Sequence, residues 1–363
     1  MRTGSATLTL LLLAAAHCAA AAQPAAPRPA DARLDRIVTG AMRHQRIPAA
    51  AVAVMTGGRI VYSQAFGTAD LENSVPATRH TLFRTASIAK TFTAVAAMTL
   101  VEAGRLDLDA PVQRYCAPFP EKQWPITARE LLSHTSGIRH YNPGEPEYTH
   151  HYQHLADAFA LFAGDPLLFR PGTAYAYSTY AYTVAGCAIE GASGERFTDY
   201  VAAHVLAPAA MTHTFVDDSL GIVPHRARGY QLLDGEVKNS VLMDSSYKIP
   251  GGGYVTSAED LVRFAQALLA GKLVRPASLR EMWTATAVSG ARDPYGLGFA
   301  LPEGGRFVMH TGGQSGTSTE LFIIPETRAA IAVLTNLEHA DLRALVRAIA
   351  LELHQPALAP AAR

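Results

Sequence analysis

Apolar positions fall into three regimes along the chain: strand-like runs at both ends and a long middle with helical spacing. Residues 50–55 and 59–66 are strand-like and are separated by Thr56-Gly57-Gly58, a hairpin signal. From Ser87 onward Ile88, Phe92, Val95 and Met98 recur at three- and four-residue steps. Alanine fills much of the remainder, and Gly104 is the expected stop. Residues 87–273 read mainly as helices and long loops. Strand patterns return at 296–301, 306–309, 319–324 and 329–335, before a helical stretch at 340–353. β-Rich ends around a helical middle predict an α/β (α+β) architecture, in which an antiparallel sheet domain flanked by helices carries an inserted helical domain. The expected domain spans 34–355, with a sheet lobe from about 34–85 and 290–355 and a helical lobe of about 86–289. The cleft between two such lobes is the natural substrate site.

The ends lie outside that pattern. Arg2 followed by apolar residues 8–16, with small residues at 19–22, reads as a secretory signal over 1–22 and places the protein outside the cytoplasm, secreted or periplasmic. The apolar stretch is too short for a stable membrane span. A lipid anchor at Cys18 is disfavoured, because His17 before it suits lipoprotein processing poorly. An Ala/Pro-rich linker at 23–33 precedes the domain, and a short tail follows at 356–363. Once the signal is removed Cys116 and Cys187 remain, so one disulfide at most can form. Cys187 belongs to an apolar helical run and Cys116 to a Pro-rich connection. Nothing in the spacing brings them together, and unpaired packing roles are expected. The 363 residues are 49% hydrophobic, enough for a sizeable core. Lys plus Arg and Asp plus Glu both number 31, a balance that argues against a nucleic-acid partner.

Ser87-Ile88-Ala89-Lys90 carries the most chemistry. Three helical residues turn the chain through about 300°, leaving the two side chains about 60° apart on one face, one turn above the other. Lys90 can then reach the Ser87 hydroxyl, and the apolar residues 91–101 supply the burial that keeps an amine unprotonated. The spacing recurs at Ser245-Ser246-Tyr247-Lys248, which runs into Pro250-Gly251-Gly252-Gly253 and is expected to lack a rigid register. Tyr177-Ser178-Thr179 and His310-Thr311-Gly312-Gly313 follow Ser87 in the chain, the latter in an apolar strand context. Plainer readings stand beside these: a solvated lysine at 90, an ordinary aromatic at 177 in a run with Tyr175, Tyr180 and Tyr182, and a core histidine at 310. His150, His151 and His154 lack the carboxylate motif of zinc hydrolases and read as a solvated patch. No Gly-x-Ser-x-Gly elbow or phosphate loop occurs, so neither a metal nor an organic cofactor is expected.

Ser-x-x-Lys, then Tyr-x-Asn or a variant, then Lys/His-Thr-Gly resembles the motif series of the serine β-lactamase and penicillin-recognising hydrolases, in particular their class C and DD-peptidase branch. The resemblance spans about residues 35–350 and includes Leu131-Leu132-Ser133-His134-Thr135-Ser136-Gly137 and Tyr295-Gly296-Leu297-Gly298-Phe299. Residues 239–253, with Gly137-Ile138-Arg139-His140-Tyr141, resemble the LACTB-like subgroup. What this implies is the β-lactamase/transpeptidase-like fold with its active site between the lobes. Ser87 would attack a carbonyl, Lys90 and Tyr177 would shuttle its proton with either as the base, and His310 would stand where many members have lysine. The N–H groups of Ser87 and Gly313 would form an oxyanion hole, the glycine letting the strand approach closely. Thr179, Thr311 and Gly312 would contact substrate, with Thr179 in the place of the usual asparagine. The implied activity is amide or ester hydrolysis of a small molecule or peptide through an acyl-enzyme. The resemblance also covers penicillin binders and self-associating structural proteins of little turnover.

Overall fold

A computed structural model describes Met1 and residues 29–145, 149–288, 290 and 294–353. The signal segment 1–22, Cys18 and the tail 356–363 lie outside the described residues, Met1 aside. Helix α1 (Pro29–Gln45) begins inside the expected linker. It is followed by β1 (Ala49–Thr56), β2 (Arg59–Asp70), β3 (Val75–Pro76) and β4 (Phe83–Arg84). The middle of the chain holds α2 (Ala89–Glu102), α3 (Ala128–Leu132), α4 (Thr179–Ser193), α5 (Phe197–Val201), β5 (Thr214–Val216), β6 (Tyr230–Leu233), β7 (Glu236–Asn239), α6 (Ile249–Gly252), β8 (Tyr254–Thr256), α7 (Ala258–Leu269) and α8 (Pro276–Met282). The chain closes with β9 (Val308–Gln314), β10 (Thr317–Ile324), β11 (Ala329–Thr335) and α9 (Arg343–Glu352).

The main sheet is antiparallel, in the order β3-β2-β1-β11-β10-β9. β1 pairs with β11 in the register Val52↔Val333, so the N-terminal hairpin and the C-terminal strands form one surface. Strand period explains how this surface is covered on both sides. Ala49, Ala51, Ala53 and Met55 join the large core shared with α2, α4 and α7, whereas Ala50, Val52 and Val54 join a second core beneath α1 and α9. α2 is buried almost all round, as its near-unbroken apolar sequence requires. It stops where expected: Gly104 has φ 69°, and the N–H of Arg105 returns to the Leu100 carbonyl.

Two sequence expectations are corrected here. Residues 296–301 do not form a strand; they fold into a tight loop with isolated bridges between Tyr295 and Ala300 and between Ala300 and Met309, held by the Leu297 and Gly298 N–H groups donating to the Met282 and Leu132 carbonyls. Gly298 has φ 80°, and a Cβ there would lie 2.4 Å from that of Ala94 on α2, so the loop is a glycine-dependent plug against the helix. The second correction is that Cys116 and Cys187 are joined in a disulfide with Cα atoms 5.3 Å apart, not left unpaired. Close approach of the loop to α4 makes this possible: a Cβ on Gly191 would stand 1.6 Å from the Tyr115 carbonyl oxygen. The bridge spans 71 residues of chain, for which loop entropy alone predicts about 4 kcal/mol of stabilisation. The paired replacement Cys116→Ser/Cys187→Ser is therefore expected to lower the unfolding free energy by several kcal/mol in urea titrations. A midpoint equal to that of the parent would show that the bridge constrains nothing.

Candidate active site

Ser87 sits in a 3-10 turn, Ala86–Ile88, that leads straight into α2. Ala86 adopts φ 44°, a left-handed conformation costly for a residue with a Cβ, and the turn is anchored by the Thr85 N–H donating to the Tyr254 carbonyl on β8 (2.8 Å). The helical register then brings Lys90 Nζ to 3.0 Å from Ser87 Oγ, as the spacing predicts. Lys90 is wholly buried. Its other partners are the Gly251 carbonyl at 2.7 Å and Thr179 Oγ1 at 3.0 Å. Burial, with Lys248 as a second cause, holds its pKa far below the usual lysine range. A neutral amine fits all three contacts: two N–H bonds point at Gly251 and Thr179, and the lone pair accepts from the Ser87 hydroxyl.

Tyr177 lies just ahead of α4, whose first turn Ser178 caps by accepting from the Ala181 N–H (3.0 Å). Its hydroxyl shares a hydrogen bond with that of Ser87, and its ring lies 4.9 Å from Lys90 Nζ. Burial raises its pKa well above that of a free phenol, so the resting side chain is a neutral phenol and not a tyrosinate. Two imidazoles that motif reading did not single out hold this segment. His134 Nδ1 accepts from the Ser178 N–H (3.1 Å), and His140 Nδ1 accepts from the Thr179 N–H (3.2 Å). Burial keeps both neutral, His140 at about 4. His134 packs against Tyr177, Tyr182 and Tyr295 with ring centroids at 4.2, 5.2 and 4.8 Å.

His310 projects from β9 toward the same cleft. A carbonyl only accepts, so the 2.6 Å contact with the Thr311 carbonyl places the proton on Nδ1, and Nε2 accepts from the Tyr295 hydroxyl at 2.9 Å. Burial, followed by the proximity of Lys90, drives its pKa to about 3, so no cation stands at this position. The cleft of about 380 Å³ is lined by Ser87, Tyr175, Tyr177, Tyr295, His310 and Gly313, with Arg343 of α9 at its edge. Arg343 is a further residue the motifs did not reveal.

The remaining motif residues take up distinct places around the cleft. Gly312 is where β9 packs against the segment leading into Ser87: a Cβ there would lie 2.4 Å from the Thr85 carbonyl oxygen and 2.3 Å from Thr319 Oγ1. At Gly313 a Cβ would meet nothing within 4 Å. Thr179 is buried with its hydroxyl on Lys90, which makes it a support for the amine. Thr311 is exposed and lines the cleft beside His310, while it pairs with Glu320 across β9 and β10. His151 pairs with Asp244 at 2.9 Å. Among the described residues no group of three or more His, Cys, Asp or Glu is placed to hold a metal ion, and no helix is long and apolar enough to cross a membrane.

The second Ser-x-x-Lys is not the loose segment its one proline and its glycines suggest. Ser246–Lys248 forms a 3-10 turn that continues into α6, where Pro250 occupies the first turn and so costs no hydrogen bond. Ser245 is buried and donates to Asp217 at 3.2 Å, while the Gly251 carbonyl reaches Lys90.

A β-lactamase-fold site of a serine hydrolase is thereby assembled from both lobes. The profile of the family described as Beta-lactamase matches residues 34–354, and the chain belongs to that family. It is 27% identical to the human serine beta-lactamase-like protein LACTB, mitochondrial, over 84% of this chain and 76% of that protein. It is 30% identical to penicillin-binding protein 4* of Bacillus subtilis (strain 168), over 79% of this chain and 68% of that one. Among solved structures, EstCE1, a hydrolase with promiscuous acyltransferase activity, superposes with a TM-score of 0.77 at 25% identity, covering 91% of this chain and all (100%) of the other.

Proposed function

We propose that this protein is an exported serine hydrolase that forms an acyl-enzyme at Ser87 on ester or small amide carbonyls and turns β-lactams over slowly. The observation that carries the reading is the 3.0 Å contact between Ser87 Oγ and an amine held neutral by complete burial. Lys90 takes the hydroxyl proton as Ser87 Oγ bonds to the carbonyl carbon. The N–H groups of Ser87 and Gly313 receive the developing oxyanion, a contribution of about 3 kcal/mol per donor in comparable hydrolases. Collapse of the tetrahedral intermediate breaks the bond to the leaving group, which takes a proton from Lys90 by way of the Tyr177 phenol. Water then repeats the sequence on the acyl-enzyme with the same groups in reverse. Export is supported by Arg2 with apolar residues 8–16 and by the Cys116–Cys187 bridge, since structural disulfides persist in oxidising compartments.

The ranking of substrates rests on two charge and hydrogen-bonding facts. His310 is neutral and cannot fix a substrate carboxylate as a lysine would, and the Thr179 hydroxyl is committed to Lys90. EstCE1, similar over nearly the whole chain and described as a hydrolase with promiscuous acyltransferase activity, supports an acyl-enzyme route. For a p-nitrophenyl ester, a D-alanyl dipeptide and a chromogenic cephalosporin under one set of conditions, kcat/KM is expected to be lowest for the cephalosporin. A cephalosporin value far above the other two would overturn the ranking.

A further inference from the structure

We propose that Lys248 is a positioning residue for this site: it carries the single proton that the two buried amines can hold between them and so keeps Lys90 free to act as base. The inference rests on Lys90 being the base. Lys248 is 3% exposed and lies over the rings of Tyr141 and Tyr247, 5.6 and 5.3 Å from their centroids. The Tyr141 hydroxyl is hydrogen-bonded to the Thr179 side chain, and Thr179 Oγ1 contacts Lys90 Nζ at 3.0 Å. One rigid segment carries both ends of this arrangement, because the turn bearing Lys248 continues into α6, whose Gly251 carbonyl binds Lys90. Two ammonium groups so placed repel each other in a medium that screens poorly, and protons on such a pair go on in separate steps.

Their surroundings decide which amine is protonated first. Lys90 faces the Ser87 and Thr179 hydroxyls, the Gly251 carbonyl, the rings of Tyr177 and Tyr182, and the neutral imidazoles of His134, His140 and His310. No carboxylate is among them. Lys248 has two aromatic faces, which favour a cation, and the Asp217 carboxylate, which offsets part of the repulsion from the nearby Arg84. Burial accordingly brings Lys248 only to about 7, whereas Lys90 is held further down with Lys248 as a cause.

The test is the pH profile of Ser87 acylation by a p-nitrophenyl ester in wild type, Lys248→Met and Lys248→Arg, with thermal melts to confirm folding. Removing the cation in Lys248→Met is expected to move the acid limb up by about one pH unit, because the shared proton then falls to Lys90. Lys248→Arg, with a permanent cation in the same place, is expected to keep the limb at or below its wild-type position. A Lys248→Met limb superimposed on wild type, or moved down, would overturn the proposal, as would a Lys248→Arg limb above wild type should the methionine variant fail to fold. Acylation that persists in Lys90→Met would instead overturn the assignment of the base, which keeps the two failures distinct.

Discussion

Ser87→Ala is expected to abolish hydrolysis of an activated ester, a loss on the order of 10⁵-fold or more, while Ser245→Ala stays within a few-fold of wild type. Both serines precede a lysine by three residues, and local sequence does not separate them. Their surroundings do. Ser87 opens into the cleft and sits 3.0 Å from a neutral amine, whereas Ser245 is 1% exposed and donates to a carboxylate that Arg84 and Arg226 already pair at 2.8 and 3.2 Å. A hydroxyl donating to Asp217 keeps its proton and has no carbonyl to attack. Initial rates for the two variants, with peptide mapping of the serine labelled by a fluorophosphonate, decide the matter. Loss of rate with Ser245→Ala alone would reverse the assignment.

Lys90→Met is expected to slow acylation by about 10³- to 10⁴-fold, and Tyr177→Phe by about 10²-fold, with the double variant little worse than Lys90→Met. The two side chains move one proton along one path through Ser87, so removing the second adds little once the first is gone. Pre-steady-state acylation rates measure this directly, and simple additivity of the two free-energy losses would contradict it. Lys90→Met carries a second signature with a definite sign. The folded pKa of Lys90 is depressed, so below about pH 10 the unfolded chain binds a proton that the native state does not, and wild-type stability falls as pH falls toward the folded pKa. The methionine variant escapes this cost. It is expected to melt above wild type, with a gap that widens from pH 9 to pH 6, and a gap that narrows would mean Lys90 is charged when folded.

The chemistry of the site was legible in the sequence wherever it depended on short-range geometry. Helical register alone placed Lys90 on Ser87, and unbroken or alternating apolar runs located β1, β10 and β11 to within two residues. What the sequence did not disclose depended on contacts between distant segments. Cys116 and Cys187 meet because Gly191 lets a loop lie on α4, a packing fact with no local signature. The strand pattern at 296–301 failed because the left-handed conformation of Gly298 overrides apolar alternation. Proline and glycine around Lys248 suggested a segment without a rigid register, yet Pro250 sits where a helix tolerates it and the lysine is buried. His134 and His140 were visible as residues of family-like stretches, but their purchase on the backbone of Ser178 and Thr179 appears only in three dimensions.

The seam between β1 and β11 also governs how the molecule comes into being. Its two strands lie at opposite ends of the chain, so during synthesis β1 and β2 emerge long before the partner that completes the sheet. Pairings of such long sequence separation form slowly, and until then β1, apolar on both faces, presents an open edge of the kind that templates aggregation. A chain cut short between Tyr177 and Ala329 retains Ser87, Lys90 and Tyr177 but has nothing to close the second edge of β1. Such fragments are expected to be insoluble and not partly active, and the last strand made is the one on which the whole catalytic cleft waits.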